Sequence, residues 1–272
     1  MAISETIASG KVRPAAVAGR FYPADAVELR SLIAGLLAEV PPAKGPVPKA
    51  IIVPHAGYLY SGPIAASAYA QLIPARDLIQ RIVLLGPSHY VALDGLATPS
   101  ADTFATPLGS VPLDLEAIRQ VRSLPQVREL DDAHAQEHSL EVQLPFLQTV
   151  LGRFTLVPLV VGNATTGEIA EVLEVLWDGA ETRFVISSDL SHYYDFQTAR
   201  RLDRATAQAI EALKPAGIGD ERACGRIPIR GLLHAARRHR LRARTIDLRN
   251  SGETAGSRDK VVGYGAFAFE ES

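Results

Sequence analysis

Cysteine is almost absent from this sequence of 272 residues, which contains Cys224 alone. A single thiol rules out a disulfide within the chain and suits a reducing compartment. The sequence also lacks the charged and apolar regions of a signal peptide at its start, and it has no apolar stretch near the ~20 residues that a membrane-spanning helix needs. We therefore expect a cytoplasmic protein with no membrane span.

An excess of charge of either sign is missing as well. The chain has 28 Lys and Arg residues against 30 Asp and Glu residues, which gives a net charge of -2. Proteins that bind nucleic acid or anionic membranes carry a basic surface, and this composition gives no sign of one. The basic run from Arg237 to Arg244 is typical of a helix C-terminus, where cations complement the helix dipole. We expect neither nucleic acid nor a membrane as a partner.

Short runs rich in Val and Ile alternate with helical patterns along the chain. This alternation predicts the α/β class, as a sandwich around a mostly parallel or mixed sheet. No low-complexity linker or repeat divides the sequence, so we expect one domain over residues 1–272. Strands are predicted at 49–53, 81–86, 155–161, 183–188, 244–249 and 261–269, with irregular β structure over 94–112; helices are predicted at 24–39, 61–72, 113–122, around 140–147, 167–178, 196–213 and after Pro228.

Three histidines follow directly on predicted buried strands. They are His55 in Ile-Ile-Val-Pro-His, His89 in Leu-Leu-Gly-Pro-Ser-His, and His192 in Ser-Ser-Asp-Leu-Ser-His. Ligand sites of open α/β sheets lie outside the carboxyl ends of the strands, so these imidazoles are expected to converge on one metal or one substrate. A structural role is the usual alternative for one such histidine, and the recurrence of the pattern favours a site.

Two further residues join this predicted pocket, namely Asp189 and Cys224. Imidazole together with thiolate suits zinc, iron or copper, whereas sites made only of carboxylates suit magnesium or calcium. The alternative for Cys224 is a small buried hydrophobic residue. Its neighbours Gly225 and Arg226 are expected to leave room for a ligand and to lower the pKa of the thiol.

Several motifs taken together resemble the Memo family, in particular its prokaryotic branch, called AmmeMemoRadiSam system protein B. The resemblance runs from Arg13 almost to the C-terminus. The motifs that carry it, in chain order, are Arg13-Pro14-Ala15-Ala16-Val17-Ala18-Gly19-Arg20-Phe21-Tyr22-Pro23, Pro54-His55-Ala56-Gly57-Tyr58, Ser61-Gly62, Gly86-Pro87-Ser88-His89, Glu137-His138-Ser139-Leu140-Glu141, Ser187-Ser188-Asp189-Leu190-Ser191-His192, Cys224-Gly225-Arg226 and Val262-Gly263-Tyr264.

The Memo family is similar in fold to the class III extradiol dioxygenases, in which two histidines and a carboxylate hold non-heme Fe(II). By this resemblance His55 and His89 are metal ligands and Cys224 is the third ligand. His192 has the position of the acid/base, with Asp189 beside it. Because a thiolate replaces the carboxylate, the site is softer, favours copper or zinc over Fe(II), and is open to oxidation. Ring cleavage is therefore not inherited from the fold.

The remaining motifs leave alternatives open. Glu137-His138-Ser139-Leu140-Glu141 is expected either to cap a helix or to orient the metal ligands. Tyr58 and Arg226 are expected to line a substrate pocket, although core packing is an equal alternative for Tyr58.

The resemblance implies a metal-dependent redox catalyst that uses copper or iron, or else zinc. Its substrate would be a small organic molecule or a peptide, and its partners a radical SAM protein and an AMMECR-type protein. The alternative is a non-catalytic module that binds a metal, a peptide or a small ligand.

Overall fold

The computed structural model describes residues 10–43 and 45–271. Residues 1–9, where the sequence has no signal-peptide pattern, lie outside the described residues. Among the described residues, no helix combines the length and the apolar character that crossing a membrane requires.

Helices and strands alternate along the chain as the sequence predicts. The strands are β1 (Val12–Arg13), β2 (Ala50–Val53), β3 (Arg81–Pro87), β4 (Leu96–Thr98), β5 (Thr103–Thr106), β6 (Gly109–Pro112), β7 (Val127–Glu129), β8 (Thr155–Val161), β9 (Thr182–Ser187), β10 (His192–Tyr194), β11 (Leu241–Asn250) and β12 (Val261–Glu271). The helices are α1 (Ala26–Ala38), α2 (Tyr58–Tyr69), α3 (Leu115–Val121), α4 (Asp131–Ala135), α5 (His138–Glu141), α6 (Leu144–Val150), α7 (Thr166–Val175), α8 (Phe196–Glu211) and α9 (Arg226–Arg238).

The main sheet is mixed, with a parallel centre. Its strand order is β10-β12-β2-β9-β3-β8-β4-β7, and β11 pairs with β12. The four central strands β2, β9, β3 and β8 are parallel, whereas β12 runs antiparallel to β2 and β4 runs antiparallel to β8. A small separate sheet has the order β1-β5-β6. The predicted α/β class with a mixed sheet is confirmed.

The central strands are continuous apolar runs because they are buried on both faces. Every residue of β2 and β9 is buried, and β3 and β8 each have only their first residue partly exposed. Helices α2 and α8 pack on β11 and β12, while α9 packs on α7 and contacts β3 and β9. This pattern is expected where helices cover both faces of parallel strands.

The structure differs from the prediction at the start of α2. The backbone N–H groups of Tyr60 and Ser61 both donate to the Gly57 carbonyl, so the first helical turn has already formed before Ser61. The helix therefore begins before the predicted start at residue 61, and the Ser61 hydroxyl donates to the Ala56 carbonyl at 2.8 Å. Elsewhere, the helix predicted around 140–147 is divided into α5 and α6, and Pro145 lies at the start of α6.

Candidate metal centre

The parallel centre of the sheet brings two of the predicted histidines together. His55 lies two residues beyond the end of β2, and His89 lies two residues beyond the end of β3. Both strands flank β9, so the two side chains reach the same carboxyl edge of the sheet. Their ring centroids are 5.2 Å apart, with the rings nearly perpendicular.

A third histidine, His138, completes the cluster. Its ring centroid is 5.4 Å from that of His55 and 4.5 Å from that of His89. One ring nitrogen from each of the three histidines lies within 4.8 Å of the others. The sequence points to His138 only as part of a capping or orienting motif, because this residue begins the short helix α5 and does not follow a strand. Its membership of a recognised motif was the one signal that pointed to it.

The hydrogen bonds around His55 fix the tautomer of its ring. The Ser187 hydroxyl donates to the Ser139 carbonyl at 2.6 Å, so it accepts from the Nδ1 of His55 at 2.9 Å. The Nδ1 atom therefore carries the proton, and the lone pair of Nε2 faces the cluster. Because Ser187 ends β9 between the two histidine-bearing strands, the fold itself places this hydroxyl beneath the site.

Glu137 orients His89 in a similar way. One carboxylate oxygen lies 2.9 Å from His89 Nδ1, and the other accepts the His89 backbone N–H at 2.6 Å. The same carboxylate caps α5 by accepting the Ser139 N–H at 2.8 Å. Burial favours the protonated acid, but the hydrogen bonds from His89 outweigh it and hold the pKa of Glu137 at about 2. Both roles that the sequence left open for this motif are thus filled by one side chain.

Two of the imidazoles are held in the neutral form that binds metals. Burial, followed by the nearby charge of His89, lowers the pKa of His55 to about 3. Burial, followed by the charges of His55 and His89, lowers the pKa of His138 to about 4. The Nδ1 atom of His138 is buried and makes no hydrogen bond, although a Glu137 carboxylate oxygen lies 3.4 Å away. A bound cation would account for the crowding of the three rings.

Cys224 lies beside this cluster, with Sγ 3.3 Å from His55 Nε2. Since Nε2 carries the lone pair, the thiol is the donor in this contact. Burial and then the charge of Asp189 raise the pKa of Cys224 to about 12. The expectation that Arg226 lowers this pKa is wrong, because Arg226 donates instead to Asp220 at 3.2 Å. At neutral pH the thiol would therefore lose its proton only if a cation such as a bound metal ion lay beside it.

Gly225 has a different role from the one expected. A Cβ atom at this position would lie 2.6 Å from the Cβ of Ser188 and 2.8 Å from the Ser187 carbonyl oxygen. The glycine therefore permits close packing of the Cys224 segment on the end of β9, and this packing brings the thiol to His55.

Asp189 and His192 lie next to the cluster without a hydrogen bond between them within the described residues. The buried Asp189 carboxylate accepts the His55 backbone N–H at 2.8 Å, and burial raises its pKa. Its charge nevertheless interacts with that of His192, so the two groups are near each other. His192 begins β10 and is partly exposed, which leaves its ring accessible from solvent.

The two residues expected to line a substrate pocket have different surroundings. Tyr58 is 2% exposed and its hydroxyl donates to the Val142 carbonyl, which agrees with the core-packing alternative. Arg226 and Cys224 both line a cleft of about 450 Å³ whose other walls include Val91 and Asp94. Small molecules from solvent could reach the thiol through this cleft.

The donor set fits a single soft or borderline metal ion. Three imidazoles and one thiol match the ligands of zinc, copper and iron sites, and the hydrogen bonds of Ser187 and Glu137 supply the orientation that metal-binding histidines commonly receive. The cluster could therefore hold a metal ion.

Comparison with known proteins identifies the family of this chain. The family described as "Memo-like protein" matches residues 13–268. A MEMO1 family protein of Aquifex aeolicus is 37% identical over 267 residues, which cover 93% of this chain and 97% of the relative. MEMO1 family proteins of Ignicoccus hospitalis and Aeropyrum pernix are 37% and 38% identical, covering 95% and 94% of this chain and 98% and 99% of the relatives. The chain belongs to the Memo-like family.

Proposed function

We propose that this protein binds one metal ion through His55, His89 and Cys224 and uses it for redox chemistry on a small organic or peptide substrate. The observation that carries the proposal is the approach of ring nitrogens of His55, His89 and His138 to within 4.8 Å of one another, with the thiol 3.3 Å from His55. His138 is then a further donor or a close neighbour of the metal.

Copper and iron are the metals that best suit this activity. Both undergo one-electron redox chemistry, which zinc does not, and a thiolate ligand favours copper over Fe(II). When bound, the metal would supply a redox-active Lewis acid at the carboxyl edge of the sheet. The similarity to extradiol dioxygenases supports iron, whereas the thiol in place of a carboxylate supports copper.

The residues of the chain would prepare the site in distinct ways. Ser187 and Glu137 hold the Nδ1–H sides of His55 and His89, so that the opposite nitrogens face the metal. His192, partly exposed and next to the buried Asp189, is the group placed to give or take a proton from a substrate. A substrate would reach Cys224 through the cleft that Arg226 lines.

A non-catalytic metal-binding module is the second candidate, and the presence of four nearby donors favours it. If His138 joins the other three ligands, the metal has four protein donors and no open position, which is typical of structural or storage sites.

The resemblance of the sequence to the Memo family further suggests a cytoplasmic setting, with a radical SAM protein and an AMMECR-type protein as partners.

Metal analysis and oxygen consumption together distinguish these functions. The protein is purified without chelator, its metal content is measured, and oxygen uptake is followed with catechols and with thiols. Turnover that requires the bound metal and disappears in His192→Ala supports the catalyst. Stoichiometric metal without turnover supports the module. If the protein binds none of copper, iron and zinc, both the catalyst and the metal-binding module are overturned.

A further inference from the structure

A second cavity lies at the opposite edge of the sheet from the histidines. It encloses about 460 Å³, and its walls include Lys49, just before β2, and Arg183, the second residue of β9. Because His55 lies beyond the other end of β2, this cavity is separate from the metal centre. A volume of this size is within the range of small-ligand pockets.

Two cations in the cavity are desolvated and lack ion pairs. Arg183 is 8% exposed; its Nη1 donates to two backbone carbonyls, while its buried Nε has no hydrogen-bond partner. Lys49 is half-buried and donates to the Gly179 carbonyl at 2.9 Å. Within the described residues, no carboxylate lies within 4.0 Å of either cationic group. Buried charges are normally paired, so Lys49 and Arg183 are available to bind an anion.

The other walls limit the kind of anion that fits. Asp178 and Glu271 line the cavity and are exposed, so their carboxylates repel a dianion more strongly than a monoanion. The rings of His239 and Phe184 stack on Trp177 with centroid distances of 4.1 Å and 4.9 Å, so the protein itself already occupies stacking surface that an aromatic ligand would need. Apolar side chains complete the lining, namely Pro46, Val47 and Leu241.

We propose that this cavity binds a small aliphatic monocarboxylate. The carboxylate bridges Lys49 and Arg183, and the hydrocarbon part lies against Pro46, Val47 and Leu241. Charge-assisted hydrogen bonds to two desolvated cations provide the attraction, and a single negative charge is repelled less by Asp178 and Glu271 than a double charge would be.

Lys49 makes the binding dependent on pH. Burial and then the charge of Arg183 lower the pKa of Lys49 to about 8, against the opposing influence of Glu181, Asp178 and Glu271. Below this pKa the ammonium attracts a carboxylate, and above it the neutral amine does not. The affinity should therefore fall as the pH rises through about 8.

Trp177 gives a direct readout, because it is the only tryptophan in the chain and the Lys49 ammonium lies 5.8 Å from its ring. Sodium hexanoate is titrated at constant ionic strength while tryptophan fluorescence is recorded, and calorimetry measures the same binding independently. We expect a saturable change, an affinity about tenfold lower in Lys49→Met, and no change in affinity for Lys260→Met, which removes an exposed lysine elsewhere.

Arg183→Lys keeps the charge but removes the guanidinium, so it should also weaken hexanoate binding. If Lys49→Met does not fold, Arg183→Lys takes its place in the test. An unsaturable response to hexanoate in both measurements would overturn the proposal. Equal affinities in wild type and Lys49→Met would do the same. Inorganic phosphate bound as tightly as hexanoate would show an unselective anion site and contradict the assignment to monocarboxylates.

Discussion

The Glu137 carboxylate holds His89 at two points, with one oxygen 2.9 Å from Nδ1 and the other 2.6 Å from the backbone nitrogen. The ring and its main chain are thereby fixed by one buried side chain that also caps α5. A carboxylate behind a metal-binding imidazole commonly sets both the ring orientation and its basicity. These contacts hold His89 in place through the protein itself.

Glu137→Gln tests this support. The amide retains the shape of the side chain but loses the charge, so we expect metal affinity to fall about 10–100-fold. Titration with copper and zinc measures the effect, and Glu116→Gln, at an exposed position on α3, should leave the affinity unchanged. An unchanged affinity in Glu137→Gln would show that His89 is not a ligand or needs no such support.

Metal binding should release one proton from Cys224. The pKa of the free thiol is about 12, whereas His55 and His138 are already neutral at pH 7. Calorimetry with Cu(I) in buffers of different ionisation enthalpy counts the released protons, and Cys224→Ser should release fewer protons and bind copper much more weakly. If Cys224→Ala binds Cu(I) as tightly as the wild type, the thiol is only a packing residue.

His192→Ala separates proton transfer from metal binding. His192 is partly exposed and lies outside the cluster of three imidazoles, so its removal should leave metal content nearly intact while abolishing turnover. Metal content by mass spectrometry and oxygen uptake are measured on the same sample, with His234→Ala on the exposed side of α9 as control. Loss of metal from His192→Ala would make His192 a ligand.

Acid should destabilise the metal-free protein as the pH falls below about 6.5. The folded state keeps His55 and His138 neutral to about pH 3 and 4, whereas the unfolded chain binds protons near 6.5. The unfolded state therefore holds more protons in this window, and each such group steepens the loss by up to about 1.4 kcal/mol per pH unit.

Urea unfolding across this pH window, with chelator present, measures the slope. His138→Gln should reduce it, because the glutamine carries no titrating group, whereas His234→Gln at an exposed site should not. Equal slopes in all three proteins would mean that His138 is not held neutral by burial.

The ion pair between Arg13 and Glu141 anchors the amino-terminal segment beside the metal centre. Both side chains are at least 95% buried, and Glu141 also accepts the Tyr22 hydroxyl at 2.6 Å. Removing one partner leaves a buried charge unpaired, so Arg13→Met should lower the free energy of unfolding by about 3–5 kcal/mol. Denaturant unfolding checks this value, and Lys11→Met, from the exposed pair with Asp131, should have a far smaller effect.

The sequence by itself determined the class of the fold and two members of the imidazole cluster. Strands buried on both faces, such as β3 and β8, are continuous apolar runs that local pattern reveals. His55 and His89 follow strands of this kind, and parallel strands bring their carboxyl ends to one edge. Short elements such as β7 and β10 were missed, because three residues are too few to show a period.

Only the tertiary structure decided which side chains meet. His138 enters the cluster from a helix start, and the hydroxyl of Ser187 reaches His55 from a different strand. The pKa of Cys224 is raised because the folded chain buries the thiol near Asp189, although Arg226 is its neighbour but one in sequence. The burial and orientation of these side chains depend on residues far apart along the chain, so local sequence patterns cannot predict them.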